Sequence, residues 1–167
     1  FLSALVEDVT ERREMEDRLR LAATVFESTG EGIFVSDAER RIVRVNPAFE
    51  QLTGYTAAEA ENHTPEFLSS GRHDADFYPR IWKALDTEGQ WRGEVWNRRK
   101  SGELFAGWLN MAAVRSQTGD VVNYVAVFSD ITARKEAEER LSYLANHDPL
   151  TNLANRTLLT ERLNRAL

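Results

Sequence analysis

If the segment 91–97 is a strand, Trp91, Gly93, Val95 and Asn97 alternate onto one face of it. That face presents an aromatic wall and a side-chain amide together, which is what a flat, hydrogen-bonding ring needs. His73 is the other residue with chemistry to offer, since a neutral imidazole can ligate a metal. It lies in Ser69-Ser70-Gly71-Arg72-His73-Asp74, which also reads as a loop entering a helix, with Asp74 as the N-cap. His63 and His147 fall in a loop and at a junction and are assigned no role. Arg98-Arg99-Lys100 precedes Ser101-Gly102 and reads as the solvated tip of a hairpin. The chain has no Cys, which removes disulfides, thiolate metal sites and cysteine nucleophiles and is compatible with a reducing cytoplasm. There is no phosphate-binding glycine loop, no His cluster at metal spacing and no nucleophile–base pair. No catalytic or metal residue is assigned, and the segment alone is expected to catalyse nothing.

These side chains need elements to hold them. Residues 8–28 lack Pro and Gly and are dense in Glu, Arg and Leu, so they favour helix. Gly32–Ser36 and Arg41–Val45 are short apolar runs around Asp37-Ala38-Glu39, the pattern of a hairpin. Asn46-Pro47 opens a short helix that ends near Gly54. Thr56 through Phe67 reads as short helical pieces and Asp74–Glu88 as a longer helix. Gln90–Arg98, Glu103–Val114 and Val121–Ser129 read as strands, with turns at Gly102 and Thr118-Gly119-Asp120. Two strands, several helices and three strands point to an α+β fold: an antiparallel sheet with helices on one face.

The chain also repeats itself. DVTERREMEDRL from Asp8 and DITARKEAEERL from Asp130 agree at seven of twelve positions, 122 residues apart. That spacing is one small domain plus a connector. Met15, Leu19, Ala22 and Phe26 follow 4-3-4 spacing, and Ala137, Leu141 and Leu144 repeat the register in the second copy. Such a stripe is the seam of a coiled coil, or else a face packed on its own domain. The expectation is a homodimer through the flanking helices, within a piece of a larger modular protein that begins at Phe1 rather than Met. With 167 residues, 42% hydrophobic, there is material for one packed domain and connectors. A net charge of −6 argues against nucleic acid as partner, and no apolar run is long enough for a membrane helix. The segment is expected to be cytoplasmic without membrane contact, whatever anchors the parent elsewhere.

Gly32-Ile33-Phe34-Val35-Ser36-Asp37, Val45-Asn46-Pro47-Ala48-Phe49 and Leu52-Thr53-Gly54-Tyr55 resemble the first half of a PAS domain. Trp91-Arg92-Gly93-Glu94, Asn97 to Gly102 and the closing Asp130-Ile131-Thr132 resemble the second half. The resemblance covers residues 21–132 and implies a five-stranded antiparallel sheet in a sensory and dimerisation module. His147-Asp148-Pro149-Leu150-Thr151-Asn152-Leu153-Ala154-Asn155-Arg156 resembles HDxLTGLPNR, the opening of GGDEF diguanylate cyclase domains. Asn152 replaces the usual Gly and Ala154 the usual Pro. The organisation expected is a preceding module's tail over 1–20, the PAS domain over 21–132, a signalling helix over 133–146 and a truncated GGDEF domain over 147–167.

The resemblance also frames the cofactor question. In the light-sensing LOV branch a Cys bonds to flavin, and Pro65 occupies that position here. Of the flavin-holding polar groups Asn97 matches, while Gly107 and Phe128 stand where Asn and Gln are usual. The Trp91–Lys100 run is similar to FAD-binding PAS domains of aerotaxis receptors and a nitrogen-fixation redox regulator. Arg72-His73-Asp74 resembles the proximal His neighbourhood of oxygen-sensing kinases, which would mean haem. The reading adopted is no cofactor or an unidentified small molecule, with FAD left open and haem disfavoured. Phe34, Phe67, Trp91, Asn97 and Asn110 are expected to line the pocket. Asp130, Ile131 and Thr132 are expected to relay a signal into the following helix, in cis to a GGDEF domain and so to cyclic di-GMP. The competing readings are a passive dimerisation spacer with no ligand and an FAD redox sensor.

Overall fold

The computed structural model describes residues 2–146. The expected GGDEF opening at 147–167 lies outside the described residues. The chain divides at Asp130/Ile131 into two compact units. In the first, helix α1 (Leu2–Ser28) precedes β1 (Gly32–Asp37), β2 (Ile42–Val45), α2 (Pro47–Thr53), α3 (Ala57–Ala60) and a 3-10 helix (Pro65–Leu68). Helix α4 (Phe77–Glu88) and strands β3 (Gln90–Arg98), β4 (Leu104–Arg115) and β5 (Val121–Asp130) complete it. The second unit contributes α5 (Thr132–Asn146). The five strands form one antiparallel sheet in the order β2-β1-β5-β4-β3. The expected α+β architecture is therefore the one observed, with each strand within a residue of its expected bounds.

Alternation explains which side chains enter the core. Phe34, Val95, Phe105, Met111, Tyr124, Ala126 and Phe128 point inward from the strands and meet Phe49, Ile81, Trp82 and Leu85 from the helices. Edge-on aromatic contacts run from Phe34 to Phe49 (6.2 Å) and on to Phe128 (5.9 Å), a preferred ring geometry. Gly32 makes room for this series: a Cβ there would lie 2.4 Å from the Phe128 ring.

Asn46 ties the pieces together. It is 1% exposed, and its Oδ1 accepts from Ile33 N–H (2.8 Å) and from Phe49 N–H (2.9 Å) as the N-cap of α2. Its Nδ2 donates to the carbonyls of Phe26 (3.1 Å) and Glu31 (2.9 Å). One side chain thus joins the end of α1, the linker, β1 and α2. Gly54 ends α2 at φ 77°, donating its N–H to the Glu50 carbonyl in the left-handed cap that glycine adopts most cheaply.

Two local expectations are corrected. Helix α4 begins at Phe77, not Asp74, with Asp76 in the N-cap position. The Asp74 carboxylate instead accepts two hydrogen bonds from Arg80 (3.1 and 3.2 Å), which leaves the cap without a side-chain acceptor. The Arg98–Lys100 tip is also not simply solvated. Only 18% of the Arg99 side chain is exposed; its guanidinium donates to the Leu52 carbonyl and Asp130 and lies 4.3 Å from the Phe105 ring centroid. Lys100 donates its backbone N–H to the Thr53 carbonyl and pairs with Glu59 through its ammonium. That ammonium and the Thr56 backbone hold the Glu59 carboxyl at about 2.

Candidate functional site: an internal cavity under the sheet

A cavity of about 40 Å³ lies between the sheet and the segment from Pro65 to Trp82. Phe34, Leu68, Val95, Leu109, Met111 and Phe128 form its apolar wall. Asn97, Glu66 and Tyr78 supply the polar atoms. Inward alternation along β3 delivers Val95 and Asn97, and the same parity along β4 delivers Leu109 and Met111. Glu66 accepts a hydrogen bond from Trp82 Nε1–H at 2.7 Å, closing one side. The Tyr78 hydroxyl is buried with the Ser69 side chain beside it but makes no well-formed hydrogen bond, so a ligand's acceptor or donor could engage it. Ser36 Oγ is likewise buried and unpartnered.

Of the five residues expected here, Phe34 and Asn97 are in the cavity wall. Phe67 instead packs edge-on against Tyr55 (5.0 Å) and beside His63 (5.7 Å). Trp91 does share the inner face of β3, but its ring folds over Gly93 and meets Phe77 edge-on at 6.2 Å. Asn110 pairs with Arg92 and points to the outer face, because its parity is opposite to that of Leu109 and Met111. Both lie at a separate surface depression that also includes Glu88 and Gln90. Leu109 and Met111 were the signal: two apolar residues flanking Asn110 fix its side of the sheet.

His73 is occupied elsewhere. Its Nε2 accepts the Trp96 backbone N–H at 2.8 Å, and its ring stacks on Phe77 at 3.7 Å with planes 8° apart. The ring thus shields the open edge of β3, and its lone pair is not turned toward a metal. Among the described residues no three His, Asp or Glu side chains converge as metal ligands. Burial pushes the His73 pKa below its ordinary 6.5, against the weaker opposite pull of Asp74 and Glu94. The folded state therefore binds this proton less readily than the unfolded chain. The stability His73 contributes is present above about pH 6.5 and is lost as pH falls through its depressed folded value. Melting temperatures between pH 7.5 and 5 should show this component in the native protein. His73→Gln, which keeps an acceptor but does not titrate, should lack it.

At the exit of the sheet, Asp130 closes β5 and Thr132 opens α5, with Ile131 between them. The Asp130 carboxylate is held by Arg99 within the first unit. Met15, Leu19 and Ala22 are exposed along α1, whereas Phe26 is half-buried with the Arg44 guanidinium 4.8 Å above its ring. Phe26 thus packs on its own domain, while the other three remain on the exposed stripe. Ala137, Leu141 and Leu144 are exposed along α5. Between α1 and the outer sheet face runs an open apolar groove of about 620 Å³, walled by Leu21, Val25, Ile33, Val35, Val125 and Val127. No helix among the described residues is long and apolar enough to cross a membrane.

The sequence model of the PAS domain matches residues 30–133, more than half of the chain. This chain belongs to the PAS family. Its PAS fold is shared with the PAS domain of a protein from Colwellia psychrerythraea, with a TM-score of 0.65 at 22% identity, over 70% of this chain and 98% of that one. It is also similar to an RNA-binding light-oxygen-voltage receptor, with a TM-score of 0.67 at 29% identity, over 75% of this chain and 36% of that one. Among curated proteins it is 31% identical over 118 residues to a nitrogen fixation regulatory protein of Klebsiella oxytoca, covering 71% of this chain and 24% of the relative. It is 27% identical over 164 residues to the probable diguanylate cyclase DgcE of Escherichia coli, covering 93% of this chain and 15% of that protein. The PAS chain thus spans about a quarter or less of these curated relatives.

The LOV-like neighbours raise flavin as a candidate, and the residues here can be tested against it. Pro65 stands in the cavity wall and offers no thiol for an adduct. Asn97 faces the interior, but Gly107 beside it has no side chain and Phe128 fills the space of a polar group. A cavity of about 40 Å³ is far below the several hundred Å³ of a cofactor pocket. As packed, this interior does not fit an isoalloxazine.

Proposed function

We propose that this PAS domain is a homodimeric sensor that takes a small uncharged molecule in its internal cavity and passes its state through Asp130-Ile131-Thr132 into α5. In the parent protein α5 leads to a GGDEF domain and controls cyclic di-GMP synthesis. The observation that carries the reading is the Arg99 junction. One guanidinium joins the hairpin tip, the end of α2 and the last residue of β5, so a change in the domain interior reaches the exit through directional bonds. The match to the probable diguanylate cyclase supports the output, since it extends over more of the chain than the sensor occupies. The stripes exposed on α1 and α5 among the described residues, with the apolar groove beside α1, support pairing with a second copy.

Helical continuity then becomes a requirement. Four residues inserted after Ala137 would advance a helix by roughly 6 Å and rotate its downstream part by roughly 40°. The full-length parent carrying that insertion should show altered cyclase turnover with its fold intact; unchanged turnover would sink the relay. A second reading, a redox sensor carrying FAD, is favoured by the 31% identity to the nitrogen fixation regulatory protein. It requires the interior to repack around the ring, and yellow purified protein would mark it.

A further inference from the structure

The internal cavity has a neighbour. A depression of about 490 Å³ opens on the surface over α4, with Arg40, Lys83 and Asp86 at its rim. Glu66, Tyr78 and Trp82 line both spaces. These three side chains therefore border both the cavity and the surface depression on this side. We infer that this partition is the entrance of the cavity and that the Glu66–Trp82 hydrogen bond is its latch. The molecule admitted is a small, uncharged, mainly apolar one. This rests on the cavity reading above and adds to it the route, the latch and the limit on charge.

The covering segment is built to open in its middle. It runs between two left-handed residues, Asn62 (φ 64°) and Gly71 (φ 76°). One end is pinned to β2, where Asn62 N–H donates to the Ile42 carbonyl and Ile42 N–H to the His63 carbonyl, both at 2.9 Å. The other end is pinned to β3 by the Ser69–Asn97 bridge and by Arg98 donating to the Ser70 carbonyl at 2.8 Å. Between the pins, Trp82 Nε1–H of α4 donates to the Glu66 carboxylate of the covering segment.

The other half of the latch is held still. Arg40 sits 4.7 Å from the Trp82 ring centroid and Tyr124 meets that ring edge-on at 5.2 Å. Asp86 fixes both neighbours, accepting from Arg40 at 3.1 Å and from the Tyr124 hydroxyl at 2.7 Å. Opening therefore moves the 3-10 helix away from a stationary indole. The walls are apolar apart from the Asn97 amide, the Tyr78 hydroxyl and the Glu66 carboxylate. A charged molecule would lose its hydration there, an anion against the Glu66 carboxylate and a cation only by drawing that carboxylate away from Trp82, whereas one hydrogen-bonding group could reach Tyr78.

Xenon is the probe, because small dry cavities take it up and it makes no hydrogen bond that would bias the latch. Its exchange would be followed by NMR through the methyl signals of Val95 and Met111 in the native protein, Glu66→Gln and Glu66→Ala. Loss of a hydrogen bond to a charged acceptor should speed exchange about tenfold or more in Glu66→Ala. Glu66→Gln, which keeps an acceptor, should stay near the native rate. Trp82→Phe removes the donor from the other side and should reproduce Glu66→Ala, which covers the case in which that variant does not fold. Equal rates in all the proteins would overturn the entrance while leaving the cavity reading standing. No xenon uptake by any of them would overturn both.

Discussion

Asn46→Ala should lower the stability of the PAS domain by about 3–5 kcal/mol, the upper range for a single substitution. The loss exceeds that of an ordinary helix cap because the amide does four things at once. It caps α2 through Phe49, fixes β1 through Ile33, and donates to the carbonyls of Phe26 and Glu31. Removing it leaves two donors and two acceptors in a site that is 1% exposed. Asn46→Asp is the informative companion. It keeps the acceptor for Ile33 and Phe49 but loses both donors and sets a carboxylate against two carbonyls. Urea unfolding should rank the native protein above both variants, and α1 should lose amide protection near Phe26 in each. A cost for Asn46→Ala near 1 kcal/mol would mean that the cap alone matters.

Arg99→Ala should cost about 2–3 kcal/mol, since it removes the guanidinium from both the Asp130 carboxylate and the Leu52 carbonyl in a mostly shielded junction. Arg99→Lys should recover little of this, because a single ammonium cannot serve both oxygens while stacking on Phe105. In a double-mutant cycle with Asp130→Asn the two losses should be clearly less than additive. Full additivity would show that the pair does not couple the hairpin to the exit, and the relay would lose its physical link.

Much of this fold was legible because its signals are local. Alternation in Gly32–Asp37 and Gln90–Arg98, the Asn46-Pro47 helix start and the turn glycines each act over a few residues, and the sheet followed from them. The illegible part is non-local. Arg99 reads as a solvated turn residue until Leu52 and Asp130, 47 and 31 residues away, fold back to it. Glu66 and Trp82 meet across 16 residues, one from the 3-10 helix and one from α4, with an irregular stretch between these elements and no shared periodicity to announce the contact. Of the expected lining residues, Phe34 and Asn97 border the cavity, whereas Phe67, Trp91 and Asn110 lie elsewhere. Asn110 faces outward, as the parity of Leu109 and Met111 marks it. Trp91 has the right parity, but its rotamer lays the ring over Gly93, and no sequence pattern fixes that choice. On α1 the 4-3-4 spacing finds the apolar stripe but does not say that Phe26 turns onto its own domain.

Helix α1 has 27 residues, and at about 1.5 Å per residue it is a beam roughly 40 Å long. Its polar anchorage is at the base, where the Phe26 carbonyl receives Asn46 and the Phe26 ring receives Arg44. Leverage is the consequence: a tilt of about 5° at that base displaces the far end by roughly 3.5 Å, a large part of one helical turn. A displacement at the N-terminal end of α1 would reach the domain through that lever, resisted at the base by the Asn46 amide and the Arg44–Phe26 contact.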